Sequence, residues 1–179
     1  MFETVRNAFK IKDLRKKLFY TFFALIVVRI GSQLPVPGVK YEAIREMFNS
    51  QKSLDFFNQL TGGSFESMSI FALNITPYIT ASIIIQLLTI AIPRLEELHK
   101  DGEEGRKKLT EYTRYVTIGL SVMESAAMAI GFGNSGYLTD DKITFTSVAV
   151  IIVSLTAGSA FLMWLGEQIT EKGVGNGIS

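Results

Sequence analysis

Cysteine is absent from the 179-residue chain, and histidine occurs once, as His99. Without cysteine there are no disulfide bonds, thiolate metal sites, iron–sulfur clusters or cysteine nucleophile. One histidine is too few for an imidazole-ligated zinc or iron site, and no Ser/His/Asp triad can be assembled. The formal net charge of +1 lacks the basic excess of nucleic-acid-binding proteins. We therefore predict neither an enzyme activity nor a cofactor.

Charged residues make up 20% of the chain but are almost missing from four long apolar stretches. These stretches lie at residues 18–34, 69–92, 115–132 and 143–165. A bilayer core is crossed by about 20 mainly apolar helical residues. Four such helices in a soluble domain of this size would leave almost no amphipathic helices to cover them. The sequence therefore predicts an all-α, polytopic membrane helical bundle with four transmembrane helices.

The first apolar stretch could instead be a cleavable signal peptide, because Arg15, Lys16 and Lys17 precede it. However, no small-residue cleavage site follows, and Arg29 leads into a loop rich in proline and glycine. Three further apolar stretches lie downstream. These features favour a membrane-spanning helix.

Lysine and arginine are unevenly distributed between the connecting segments. Segments 1–17, 93–114 and 166–179 carry thirteen of these residues, whereas segments 35–68 and 133–142 carry four. Cytoplasmic loops are enriched in Lys and Arg. We therefore expect both ends of the chain to be cytoplasmic and the two basic-poor segments to lie on the outer side.

The outer segment 35–68 is long for a simple connection. Residues 53–67 include an amphipathic stretch with apolar residues on one helical face. Those residues are Leu54, Phe57 and Leu60. Gly62 and Gly63 would then break or hinge the helix before the next span. From the residues alone, the segment is either a short helix packed on the outer face or a mobile lid.

Polar residues and proline within apolar stretches need a partner or a water-lined face. Arg29 lies near the outer boundary, where its side chain could snorkel to the interface. Glu124 either bonds a neighbouring helix or lies on a gate or pathway. Pro77 predicts a kink in the second span, and Ile75 and Ile79 share one face of that helix at i, i+4. An adjoining stripe consists of Thr80, Ile83, Ile84 and Leu87.

Two segments on the cytoplasmic side are rich in glycine or charge. Residues 96–108 predict the ends of two helices meeting around Gly102 and Gly105, either as a solvated loop or as a docking surface. Residues 173–177, GVGNG, lack the preceding strand and the Gly-Lys-Ser/Thr pattern of a phosphate-binding loop. We expect a flexible turn there that leads to another helix.

Two longer segments carry a resemblance to a known family. Residues 69–88, SIFALNITPYITASIIIQLL, and residues 157–179, AGSAFLMWLGEQITEKGVGNGIS, resemble the two signatures of the SecY family. Members of this family are channel subunits of the bacterial protein translocase. The resemblance covers the whole chain and implies the first four spans of a ten-span fold with two inverted halves. The chain would then be the truncated N-terminal half of that fold, ending before the fifth span.

The resemblance also implies roles for individual residues. Ile75 and Ile79 match an apolar pore ring, which dewets and resists ion leak. Segment 53–67 matches a plug that seats under this ring, with plug residues Leu54, Phe57, Leu60, Gly62 and Gly63. The second and third spans match one side of a lateral gate, with gate residues Thr80, Ile83, Ile84, Leu87 and Glu124. Two positions depart from the family: Asn74 replaces a common glycine, and many relatives have glutamine at the position of Glu124.

The implied function is passive conduction of unfolded secretory proteins across the bacterial plasma membrane and lateral release of membrane helices into it. The implied partners are SecE, SecG, the SecA ATPase, the ribosome, signal sequences and unfolded polypeptides, with no small-molecule substrate. Two alternatives remain. A fragment of a secondary transporter predicts an ion or small-molecule site, whereas a membrane-anchored scaffold needs neither a kinked span nor a plug-like segment.

Overall fold

The structure, a computed structural model, describes residues 11–50, 59, 63–139 and 144–178. These residues form helices and turns, and their only extended pairings are isolated bridges. The helices are α1 (Lys12–Gly31), α2 (Tyr41–Ser50), α3 (Thr76–Ala91), α4 (Pro93–Lys100), α5 (Gly102–Asn134) and α6 (Phe145–Lys172). The prediction of an all-α fold is thereby confirmed.

Two of these helices, α5 and α6, are long and apolar enough to cross a membrane. Together α3 and α4 form a third candidate, although they are bent by 104° at the break between them. The first helix begins in the basic segment at Lys12 and ends at Gly31, and it is not among these candidates. Four spans thus remain a prediction, with two or three supported by helix length and hydropathy.

Helix α5 is central to the described part of the fold, because it contacts α3, α4 and α6. Its buried face repeats every four residues, a spacing that aligns side chains on one side of a helix. The buried residues are Gly105, Leu109, Thr113, Thr117, Ser121, Ser125 and Ala129. Small residues of this kind allow close helix packing in membranes. The hydroxyls are satisfied locally: Thr117 Oγ1 donates to the carbonyl of Thr113 at 2.7 Å.

The connection between α1 and α3 packs against the C-terminal end of α5 and the N-terminal half of α6. Isolated bridges join Pro35 to Ser69 and Val39 to Leu138. The apolar core of this region includes Val36, Val39, Ile44, Met68, Leu73, Leu138, Ile151 and Leu155. Part of the connection forms α2, a helix that the sequence analysis missed. The described part of the segment is therefore packed against the helices, and its position on the outer side stays a prediction.

Candidate functional site

The predicted second span begins with turns, and its helix starts at Thr76 rather than at Ser69. Asn74 precedes the helix with a φ of 54°, a left-handed conformation that asparagine tolerates better than most residues. Pro77 is buried in the first helical turn, where a missing N–H leaves no bond unmade. The predicted kink within a continuous helix at Pro77 is therefore wrong. The break lies before the helix, at Asn74.

The predicted pore residues lie at the start of α3, with Ile75 directly before the helix and Ile79 in its first turn. The carbonyl of Ile75 accepts hydrogen bonds from the amides of Tyr78 at 3.0 Å and Ile79 at 3.1 Å. Ile75 is half-buried, whereas the side chain of Ile79 is 45% exposed. The structure therefore places both isoleucines at the start of the helix, and only Ile79 is left largely uncovered by the described residues.

Helix α3 has one buried and one exposed face. Pro77, Ala81 and Ile85 are buried against the neighbouring helices, while Ile83 and Leu87 are 52% and 61% exposed. Among the other predicted gate residues, Thr80 and Ile84 are half-buried beside the exposed face. The predicted pore and gate residues of α3 thus lie along its exposed face or at its edge.

Glu124, the gate residue predicted on α5, is half-buried. No described residue forms a hydrogen bond or ion pair with it, and in particular none joins it to Thr80. A carboxylate that is partly removed from water without a partner is destabilised. The lateral-gate role that the resemblance implies for Thr80 and Glu124 therefore stays a prediction.

Most of the predicted plug falls outside the described residues. Leu54, Phe57, Leu60 and Gly62 belong to this part. Gly63 is described and has a φ of 84°, and residues 63–67 form turns. The helix expected in segment 53–67 therefore does not include residues 63–67, which follow the break expected at Gly62 and Gly63, and the role of the segment as a plug stays a prediction.

A polar cavity of about 580 Å³ lies beside these turns. Arg29, Gln33, Arg45, Gly63 and Glu66 contribute to its lining. Arg45 Nε donates to Glu66 Oε1 at 3.2 Å across this region. The exposed Arg29 thus borders a polar space near the end of α1, and its position at the outer boundary of a membrane stays a prediction.

The charged connection at residues 96–108 contains the two helix ends predicted around Gly102 and Gly105. Helix α4 ends at Lys100, and α5 begins at Gly102 with a φ of 71°. A Cβ on Gly105 would collide with the carbonyl oxygen of Leu98, so α4 packs directly onto α5. On the exposed surface, the hydrogen bond from Lys100 lowers the pKa of the Glu96 carboxyl.

The glycine-rich tail is packed rather than a free turn, and the sequence analysis missed this arrangement. A Cβ on Gly177 would clash with the carbonyl oxygen of Gly166 on α6. The amide of Gly177 donates to Thr170 Oγ1 at 2.9 Å, and the amide of Val174 donates to Thr21 Oγ1 of α1 at 3.0 Å. The tail therefore joins α6 to α1. In the sequence, the glycines of this tail were the feature that could have predicted such close packing.

Gly166 also brings the tail and α6 to the predicted pore ring. A Cβ on Gly166 would lie 3.5 Å from Ile75 Cδ1 and 3.2 Å from the carbonyl oxygen of Gly177. Since glycine has no Cβ, helix, tail and ring residue meet here. The two signature segments noted in the sequence thus come together in space at Ile75.

These features define an α-helical, multi-pass membrane protein with an uncovered apolar helix face beside a packed glycine-rich tail. The profile of the SecY family matches residues 69–179. The chain belongs to the SecY family.

Curated relatives agree with this membership. The chain is 47% identical over 171 residues to the protein translocase subunit SecY of Pseudomonas aeruginosa, covering 94% of the chain and 38% of that protein. It is 46% identical over 182 residues to the SecY subunit of Halalkalibacterium halodurans, covering all of the chain and 42% of that protein. The chain thus spans about two fifths of the length of these relatives.

Solved structures share the fold. The chain superposes on Sec61 of the canine ribosome–channel complex from the endoplasmic reticulum with a TM-score of 0.60, at 22% identity, covering 92% of this chain and 34% of that one. A structure described as a protein-conducting channel gives the same TM-score, identity and coverage. At this identity the likeness supports the fold alone.

Proposed function

We propose that the chain forms part of a protein-conducting channel that passes unfolded secretory proteins across a membrane and membrane helices laterally into it. The observation that carries the proposal is the exposed apolar face of α3 in a SecY-family chain. Ile79, Ile83 and Leu87 follow one another at i, i+4 along this face. An apolar lining resists ion leak because water leaves it, yet it makes no specific bonds to a passing polypeptide.

A small-molecule transporter is the weaker reading of the same helix. Its site would need polar or charged groups on the face along which the substrate passes. The exposed face of α3 instead carries Ile79, Ile83 and Leu87, and within the described ranges no group of three or more His, Asp or Glu side chains could hold a metal ion. Non-catalytic conduction of a polypeptide, driven by a partner, agrees better with the isoleucine-rich face.

Ile75 and Ile79 are proposed as two members of the pore ring, and the remaining members are proposed to lie beyond the segment matched in the relatives. Helices α3 and α5 are proposed as one side of a lateral gate. Its residues would be Thr80, Ile83, Ile84, Leu87 and Glu124. The plug proposed for segment 53–67, with Leu54, Phe57, Leu60, Gly62 and Gly63, would seat below the ring in the resting channel.

The membrane is proposed to be the bacterial plasma membrane, with both ends of the chain cytoplasmic. The excess of Lys and Arg in segments 1–17, 93–114 and 166–179 supports this orientation. The proposed partners are SecE, SecG, the SecA ATPase, the ribosome and the signal sequences of substrates. Conduction itself needs no cofactor, since the partner supplies the driving force.

The test is a crosslink from the proposed ring to a polypeptide in transit. The chain has no cysteine, so Ile79→Cys introduces a single reactive thiol into it. This chain would replace the matching segment of the P. aeruginosa relative, with other cysteines removed, and a secretory protein would be stalled during export. We expect the thiol at position 79 to form a disulfide with a cysteine in the stalled polypeptide.

Phe23→Cys is the matched control, because the Phe23 side chain is 66% exposed on α1, a helix that packs against α6 and carries no proposed pore residue. We expect no crosslink from position 23 at equal protein levels. A chimera that exports the substrate but crosslinks equally from both positions would contradict the ring assignment. A chimera that inserts and does not engage the substrate would contradict the channel function.

A further inference from the structure

Arg114 on α5 and Glu167 on α6 form a bidentate ion pair. Arg114 Nε lies 2.9 Å from Glu167 Oε1, and Arg114 Nη2 lies 2.8 Å from Glu167 Oε2. The planar guanidinium matches both carboxylate oxygens, which fixes orientation as well as distance. The Glu167 side chain is only 17% exposed. The pair therefore ties two long helices together at one defined level.

That level coincides with the proposed pore ring. Glu167 directly follows Gly166, where the Ile75 side chain packs against α6. Tyr78, in the first turn of α3, interacts electrostatically with both Arg114 and Glu167. Three helices thus meet at this cluster: α5 supplies the cation, α6 the anion, and α3 the phenol one turn from Ile75.

The other two ion pairs that the structure gives with distances are placed differently. Lys100 and Glu96 pair at 2.6 Å within one turn of α4, and both side chains are largely exposed. Arg45 and Glu66 pair at 3.2 Å on the outer side of the fold. Exposed pairs of this kind contribute little to stability. Of these pairs, only Arg114–Glu167 joins a proposed gate helix to the helix that supports Ile75.

We propose that the Arg114–Glu167 pair is a positioning device that holds the gate helix α5 against α6 and sets the resting position of Ile75. This inference rests on the proposed channel function. When the pair is intact, α3, α5 and α6 keep one arrangement and the ring stays closed. When it is broken, α5 can shift relative to α6, Ile75 loses its fixed support, and ions leak through the resting channel.

The experiment measures halide leak through resting channels reconstituted in vesicles, normalised to the amount of inserted protein. The channel is the chimera with the P. aeruginosa relative described above. We expect R114Q and E167Q each to raise the leak roughly threefold to tenfold, because each leaves one charge without its partner in a half-exposed pair. R114K keeps the charge but loses the fork, so its leak should lie between the parent and R114Q.

Two further variants separate positioning from general destabilisation. The exchange R114E/E167R restores opposite charges at the same level and should lower the leak below that of either single variant. The matched control E96Q breaks the exposed pair on α4 and should leave the leak at the parental value. A rescue by exchange is not expected if Arg114 merely stabilises its own helix.

The inference is contradicted if R114Q and E167Q are as tight as the parent, or if the exchange variant leaks as much as the single variants. If either single variant fails to insert, R114K against the parent decides. The proposed function has a separate criterion, the export of a secretory protein by the parent chimera. Export with tight variants would contradict the positioning role alone, whereas loss of export in the parent would contradict both.

Discussion

Gly158 on α6 packs directly against the carbonyl oxygen of Ile70, where any Cβ would collide with that oxygen. Phe71, the next residue, stacks on Phe161 with ring centroids 5.9 Å apart and planes within 3°. The missing side chain at position 158 lets α6 approach the turns that lead to Ile75. The start of α3 is therefore held in place by backbone contact with α6.

A methyl group at this contact should be costly. We expect Gly158→Ala to lower the free energy of unfolding by about 1–3 kcal/mol, the usual cost of overpacking a tight contact. The measurement is the thermal unfolding midpoint of the purified chimera in detergent. Gly119→Ala on α5 is the matched control, because nothing lies within 4 Å of a Cβ added there. Equal midpoints for the two variants would contradict the close approach.

A second prediction concerns the stability of variants at Asn74, which has a left-handed backbone conformation. Its φ of 54° strains a residue with a Cβ, and glycine adopts this conformation without that cost. We expect Asn74→Gly to keep or raise stability, and Asn74→Ala to lower it by about 1 kcal/mol. Unfolding midpoints of the two variants test this directly. If the alanine variant were as stable as the glycine variant, a left-handed backbone conformation at position 74 would be contradicted.

The length of the uncharged apolar stretches predicted the all-α fold, because such stretches have few other stable forms in a membrane. It misplaced the start of α3, because turns at 70–75 are as apolar as the helix that follows. Hydropathy reports whether a segment lies in an apolar environment, and turns packed in a core share that environment with a buried helix. The left-handed residue Asn74 decides where the helix begins, and a hydropathy pattern does not record backbone angles.

In the candidate site, too, local features could be predicted from the sequence, whereas long-range contacts could not. The spacing alone placed Ile75 and Ile79 on one face and Thr80, Ile83, Ile84 and Leu87 on an adjoining stripe, because neighbours at i, i+4 follow from helix geometry. In the structure Ile79, Ile83 and Leu87 share the exposed face. The packing of Gly166 and Gly177 against Ile75 joins segments whose distance in space no local pattern encodes. Long-range contacts of this kind depend on the three-dimensional fold and could not be predicted from local sequence patterns.

The proposed ring makes a prediction about ion leak. We expect Ile79→Asn to raise the leak of the resting channel severalfold, because an amide at the constriction holds water that an isoleucine excludes. Ile79→Val is the matched control, since it keeps the side chain apolar and should leave the channel tight. The measurement is halide flux in vesicles at equal protein content. A tight Ile79→Asn channel would place the constriction elsewhere.

The last prediction concerns Glu124 and the energy needed to close the proposed gate. Its carboxylate is half-buried on α5, and no described residue pairs with it. If closing the gate removes more of its water, the ionised acid opposes closure, whereas a neutral amide of the same shape does so far less. We therefore expect Glu124→Gln to favour the closed gate and to slow export of a protein with a weakened signal sequence by roughly twofold to tenfold, where tenfold corresponds to about 1.4 kcal/mol. Glu111→Gln, an exposed change on the same helix, should leave the rate unaltered. Equal export rates for Glu124→Gln and the parent would show that the charge at position 124 plays no part in gating.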